Sequence, residues 1–257
     1  LIKLNQNPPM LNGIEASLGL NSMVIIRGGL RNPFGTAWLT NPTMPLYFMA
    51  LPISILGPTV LAVRLVSPFV GAITVAATYL IGKRLFGSLI GLLAAILLLG
   101  SHYHLHYSRL GMSNIWDGLL ALVALGAVGV AWQRPSSAPH QRTLWLWAGV
   151  LAGLNAYAFT SSRVLPVVLL AWFVLTLLLD RKTVQAQSRH LLAAAALALV
   201  VALPLLLFYN NNPTILMERA NVVGILPGQT DWLTDEAART GMSETTVLWQ
   251  QFWRSAL

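Results

Sequence analysis

The chain has 257 residues, 56% of them hydrophobic and only 9% charged, with net charge +8, mean hydropathy +0.66 and no cysteine. A soluble domain carries about 25% charged residues, so an ordinary water-soluble globule is excluded and the chain falls in the membrane class; the missing cysteines exclude disulfides and thiolate metal sites. The positive residues lie in short runs between apolar segments, which argues for membrane loops rather than a nucleic-acid partner.

The chain starts at Leu1, and its opening dozen residues lack the basic and apolar regions of a signal peptide. It closes on "LWQQFWRSAL" with no terminator, so a fragment cut at both ends is expected. The stretch "NPPMLNGIEASLGL", residues 7–20, reads as turns and holds Glu15, the only acid before Asp117. Residues 44–56 are apolar but too short to cross a bilayer, and they carry Pro45 and Pro52. They are expected to form a juxtamembrane helix. Six later segments approach the length of about 20 apolar residues that a spanning helix needs: 62–82, 88–107, 114–132, 144–161, 164–179 and 191–209. The expected class is therefore all-α, a polytopic helical membrane protein.

Three of the loops between these segments contain Lys83 and Arg84, then Arg134 and Arg142, then Arg181, Lys182 and Arg189. The loops on the opposite face contribute only Arg109 and Arg163. The positive-inside rule puts the first set in the cytoplasm. Residues 1–61, the turns near 101–113 and 161–163, and the tail 210–257 then share the outer face. The division expected is an outer region 1–61, a membrane region 62–209 and an outer helical tail 210–257. The tail holds Glu218, Asp231, Asp235, Glu236 and Glu244, with a break at Pro227-Gly228.

Only Glu15, Asp117 and Asp180 precede Glu218 among the acids. Asp180 sits among cytoplasmic positives and reads as a solvated loop charge. Glu15 and Asp117 map to the outer face, where ionisable groups beside spans tend to mark function. Their plainer readings are a solvated loop carboxylate and, for Asp117 with Asn114, helix capping. In "SHYHLHYSRLG", helical spacing puts His102, His106 and Arg109 on one face and His104 on another. A metal site is weakly signalled without a carboxylate at helical distance. An interfacial Tyr/His belt and a phosphate-binding role for Arg109 are the competing readings. Arg163 in "FTSSRVLP" and Arg64 at the first span read as outer-face cations or as helix-end anchors. Carboxylates and cations beside a bilayer suit transfer from a lipid-linked phosphate: a carboxylate takes a proton from the acceptor, and cations stabilise the leaving phosphate.

The pieces "PPMLNGIEA", "PTMPLY", "VRL", "KRLFG", "HLHYSRLGMSNIWD" and "AYAFTSSRVLP" occur in that order between about residues 8 and 223. Together they resemble the bacterial and archaeal branch of the dolichyl-phosphate-mannose–protein mannosyltransferase and aminoarabinose transferase group, of the superfamily C glycosyltransferase fold. The resemblance implies inverting transfer of a sugar from a polyprenyl-phosphate carrier to a protein, lipid or glycan on the outer face of a prokaryotic cell membrane. It implies Glu15 and Asp117 as the catalytic carboxylates and Arg109 as the basic residue before the second; the residues themselves suggest Arg109, Arg163, His106 and His102 as donor-phosphate ligands. The group carries an Asp-Glu pair in its first outer loop; here the Asp position is Ile14 and only Glu15 matches. It also implies a further helix before the opening motif and several after the tail. A divalent cation is left open, since related enzymes vary.

Two other classes fit the same residues. A transporter or flippase would place ionisable groups near the midplane, yet the middles of the spans hold no charge and Asn155 is among their few strongly polar side chains. A non-catalytic subunit that binds a glycolipid is the other, and Ile14 is the residue that favours it.

Overall fold

The computed structural model describes residues 3–6, 8–37, 40–215 and 231–256. Glu218 and Pro227-Gly228 of the tail lie outside them. The described residues form helices and no β-strand, as the composition requires of a chain that must satisfy its backbone within lipid. Two compact units divide the chain, Leu1–Leu207 and Phe208–Leu257.

The first unit opens with a helix that the proline-rich sequence concealed. Gly13–Ile26 (α1) follows Asn12, whose side chain accepts from Glu15 N–H at 2.8 Å while Glu15 Oε2 accepts from Asn12 N–H at 3.1 Å. This reciprocal capping box satisfies two otherwise orphaned donors, so the expected run of turns is a helix from Gly13 onward. Met44–Leu56 (α2) begins with Pro45 in its first turn, keeps Pro52 inside it and stops at Gly57, whose φ of 74° favours glycine. Leu18, Leu46, Met49, Ile53, Ala62 and Val63 bury one another where α1 and α2 meet the next segment.

Each of the six expected spans contains helix, but only four helical segments among the described residues are long and apolar enough to cross a membrane. Val60–Arg64 (α3) runs into Val66–Phe86 (α4), and together they make one candidate span of 27 residues. Asn114–Trp132 (α7) and Arg181–Asn211 (α10) are also long and apolar enough to cross, as is Thr160–Leu179, a 3₁₀ turn (Thr160–Arg163) leading into α9 (Val164–Leu179). The other two are shorter. The segment 88–107 divides at Ser101, where ψ turns to 123°, into Ser88–Gly100 (α5) and His102–Tyr107 (α6). The segment 144–161 becomes Gln141–Asn155 (α8), 15 residues ending at a turn. Leu89, Leu93 and Leu97 on α5, with Leu170, Val174 and Leu178 on α9, stay exposed. Such faces fit a surrounding of acyl chains, and the chain is an integral polytopic membrane protein.

Helices with apolar surfaces on all sides pack in lipid by close approach of small residues. Gly149 and Gly153 on α8, four apart, do this against α10. A Cβ on Gly149 would lie 2.3 Å from the Ala194 carbonyl oxygen, and one on Gly153 would lie 2.7 Å from that of Ala198. Further along the same interface a polar knot closes the end near Arg142. Gln187 Oε1 accepts from Gln141 Nε2 at 3.0 Å and from Trp145 Nε1 at 2.8 Å, and Gln187 Nε2 donates to the Trp132 carbonyl at 3.2 Å.

The second unit contains Asp231–Thr240 (α11) and Glu244–Ala256 (α12), joined through Gly241 at φ 66°. Leu233, Ala237 and Val247 bury one another, and Thr234 donates to Glu244 at 3.0 Å.

Gly149→Val is expected to push α8 from α10 and cost about 1–3 kcal/mol, the range for overpacking. The check is the unfolding midpoint in a mixed-micelle SDS titration, which falls in the variant; an unchanged midpoint contradicts the packing.

Candidate active site

Glu15, Arg64 and Asp117 lie where the turn after α6, the start of α7, the end of α8 and the 3₁₀ turn come together with α1, α2 and α3. Glu15 and Arg64 form the deepest part. Neither side chain has any exposure. Arg64 Nε donates to Glu15 Oε1 at 2.7 Å and Arg64 Nη2 to Glu15 Oε2 at 2.8 Å, a two-point match of planar groups. The remaining guanidinium hydrogens go to the carbonyls of Leu4 (3.1 Å), Pro8 (2.7 Å) and Met10 (2.9 Å). All five N–H groups of the guanidinium are thereby used.

The carboxylate is equally saturated. Oε1 accepts from Gly111 N–H at 2.8 Å as well as from Arg64, and Oε2 accepts from Asn12 N–H as well as from Arg64. Burial alone would raise the Glu15 pKa, but the hydrogen bonds from Arg64, Gly111 and Asn12 and the Arg64 charge outweigh it and hold the carboxyl below its usual 4.5. A general base needs a lone pair within reach of the proton it takes. With each oxygen already accepting twice, Glu15 offers none here. It is a buried, fully partnered carboxylate and not the solvated loop charge of the plainer reading.

Gly111 belongs to this lock by necessity. A Cβ there would meet Val63 Cγ1 at 2.6 Å and the Val63 carbonyl at 2.7 Å. Its amide therefore approaches Glu15 only because it has no side chain, and this brings the turn 108–113 against α1 and α3. Ile14, at the position where the resembling group has Asp, is on the exposed side of α1.

Asp117 is the acid that remains accessible. It lies in the first turn of α7, half-buried. Asn155 Nδ2, from the end of α8, donates to Oδ1 at 2.8 Å, and Ser161 Oγ, from the 3₁₀ turn, donates to Oδ2. Asn155 itself is fully buried. Asp117 is therefore cross-linked to two other elements, and Ser161 brings Arg163 to the same turn. The Oγ of Ser113, Oδ1 of Asn114, Oδ1 of Asn155 and Oγ1 of Thr160 are buried at this end without a hydrogen-bond partner among the described residues. Ring contacts close it: Phe48 of α2 packs on Trp116 at 4.6 Å, and Phe34 packs edge-on against Tyr157 at 5.5 Å.

The histidine stretch divides as its spacing indicates. His102 and His106 stack with centroids 6.0 Å apart and are exposed, while the His104 ring faces the Gly71 carbonyl at 3.2 Å. Burial pushes the His104 pKa down, against the opposing pull of that carbonyl. Arg109 follows α6 rather than continuing it, and is half-buried. No group of three or more His, Cys, Asp or Glu able to hold a metal occurs among the described residues. Asp180 is exposed and caps α10 through Thr183 N–H at 3.2 Å. Ser161 as a partner of Asp117 escaped the sequence reading; its only signal was a hydroxyl next to an outer-face arginine.

A family model described as dolichyl-phosphate-mannose-protein mannosyltransferase matches residues 40–208, about two thirds of the chain. The chain belongs to this mannosyltransferase family. Its activity class is accordingly that of a membrane glycosyltransferase of the mannosyltransferase type. The matched range contains Arg64, Arg109, Asp117, Asn155 and Arg163 but not Glu15. No curated protein and no solved structure matches this mannosyltransferase-family chain.

Removing one partner of a buried ion pair costs about 3–5 kcal/mol. Glu15→Gln is expected to lower the unfolding midpoint by that order, and Glu15→Gln/Arg64→Met by less than Glu15→Gln alone, because no charge is then left stranded. Equal midpoints in all three proteins would contradict the lock. The depressed Glu15 pKa also sets a pH dependence. Its stabilisation is full above the unfolded value near 4.5 and is lost as pH falls through the lower folded value. A scan of thermal stability from pH 6 downward is expected to show a steeper acid fall in the unaltered protein than in the double variant.

Proposed function

We propose that this protein transfers a sugar, with inversion, from a polyprenyl-phosphate carrier to a hydroxyl or amine acceptor at the extracytoplasmic face of a prokaryotic cell membrane. The observation that carries the reading is Asp117, a half-buried carboxylate held by Asn155 and Ser161 at the helix ends of a mannosyltransferase-family chain. Asp117 acts as the general base. It takes the acceptor's proton as the acceptor oxygen or nitrogen attacks the anomeric carbon. The bond from that carbon to the phosphate oxygen breaks, and polyprenyl phosphate leaves with the electron pair.

Negative charge develops on that phosphate, and Arg109 and Arg163 are its ligands, with His106 and His102 at the rim. Guanidinium groups suit phosphate because their donors form a planar fork. Buried oxygens without partners are uncommon, and their gathering around Asp117 supports a site that receives further polar groups. Glu15 keeps the end assembled. A divalent cation is not required by this scheme, since the arginines supply the positive charge.

A second reading, a subunit that binds the carrier lipid without turnover, is favoured by Ile14 in place of the Asp of the resembling group. One experiment separates the two. Membranes containing the protein are incubated with polyprenyl-phosphate-[³H]mannose and assayed for product and for retained donor. Asp117→Asn is expected to cut transfer by about 10²–10⁴-fold, the range for losing a general base, with donor retention and protein level unchanged. Full transfer by Asp117→Asn removes the assigned role; donor retention without product in the unaltered protein establishes the second reading.

A further inference from the structure

Asn155, the last residue of α8, combines full burial with a half-satisfied amide. Its Nδ2 donates to Asp117 Oδ1 at 2.8 Å and, more weakly, to the Asp117 backbone carbonyl at 3.4 Å. Both amide hydrogens are thus committed to one residue of α7. Its Oδ1 is buried and accepts from no donor among the described residues. A flipped amide would set that oxygen against the carboxylate, so the bonds to Asp117 fix its orientation. Buried oxygens without donors destabilise a fold and are uncommon. The polarity of Asn155 is therefore a poor source of stability, and what it supplies is a donor aimed at Asp117.

The position of Asn155 is set by α10. Two residues before it, a Cβ on Gly153 would lie 2.7 Å from the Ala198 carbonyl oxygen and 2.7 Å from Val201 Cβ. Two residues after it, the buried Tyr157 donates from its hydroxyl to the Val201 carbonyl at 2.8 Å. The chain is pinned to α10 on both sides of Asn155, which leaves the amide little room to move.

The two oxygens of Asp117 consequently meet different surroundings. Oδ1 is held by the sealed Asn155 amide, beside the residue's own backbone carbonyl. Oδ2 is met by Ser161, an exposed side chain. Water or an acceptor group can replace an exposed hydroxyl at Oδ2, whereas nothing can replace a sealed amide at Oδ1.

We propose that Asn155 is a positioning residue for the transfer reaction: it holds Oδ1 of Asp117 inward so that Oδ2 is the oxygen presented to the acceptor's proton. The inference rests on the reading of Asp117 as the general base, and Asn155 acts only through it. A base works within hydrogen-bond reach of the proton it takes, and a misplacement of about 1 Å costs about 10²-fold in rate. A residue that merely joined α7 to α8 would depress transfer whether or not the base was present.

The test measures transfer from polyprenyl-phosphate-[³H]mannose to the acceptors present in the same membranes, per unit of retained donor. Asn155→Leu, close in shape and without a donor, is expected to lower kcat about 10–100-fold with KM for the donor unchanged. In the Asp117→Asn background the same change costs less than about twofold, because the base it serves is gone. If Asn155→Leu does not fold, Asn155→Ala takes its place. Tyr157→Phe, which loosens the end of α8 without touching Asp117, shows a smaller loss with the same dependence on background. Where the residual rate of Asp117→Asn lies at background, the division between kcat and KM decides. Losses that multiply in the two backgrounds, a loss carried by the donor KM, or full transfer by Asn155→Leu while Asp117→Asn is impaired would overturn this inference alone. Full transfer by Asp117→Asn would overturn the role of Asp117 and this inference with it.

Discussion

The contact between Glu15 and Arg64 joins parts of the chain 49 residues apart and leaves no polar atom of either side chain unsatisfied. A buried charge pair repays its desolvation only when geometry is good and the remaining donors and acceptors are used. Both conditions hold. The consequence is positional: Arg64 draws the carbonyls of Leu4, Pro8 and Met10 onto the start of the first span, and Glu15 draws in the turn after α6 through Gly111. One side of the helical assembly is thereby roofed by residues that have no membrane-spanning length of their own.

Asp117 is the second carboxylate at this end. The two carboxylates share an end of the molecule but have opposite environments. Glu15 accepts from charged and backbone donors and is sealed, whereas Asp117 accepts from an amide and a hydroxyl and keeps partial access. The far end of the helices is organised differently, by a glutamine–tryptophan knot beside an apolar slot. The membrane protein therefore has two chemically distinct poles.

Much of the fold could be read from the chain because apolar run length is a strong signal. Residues 44–56 were expected as a short helix and form one over Met44–Leu56, and all six longer segments contain helices. What escaped depends on single polar groups. Helix α1 hides behind prolines, and only the Asn12–Glu15 capping box reveals it. The run 88–107 looks continuous because Ser101 gives no strong breaking signal, yet the helix ends there. At the site, the sequence assigned Glu15, Asp117, Arg109, Arg163 and the histidines to one membrane face as an expectation. It could not show that Arg64 consumes Glu15 or that Asn155 and Ser161 hold Asp117, since those pairings span tens of residues and follow from helix packing. Asn155 looked like an isolated polar residue in a span; its partner is the acid at the end of the neighbouring helix.

The central claim is that the opening residues and the α6 turn are held together at one membrane face, opposite the basic loops. The absence of cysteine allows a direct measurement, labelling of single-cysteine variants in intact cells with a membrane-impermeant maleimide. Met10→Cys and Tyr103→Cys, at exposed positions 77% and 75% accessible, are expected to react from outside, while Ser137→Cys in the loop before α8 reacts only after the membrane is opened. Reaction of positions 10 and 103 from opposite compartments would contradict the account.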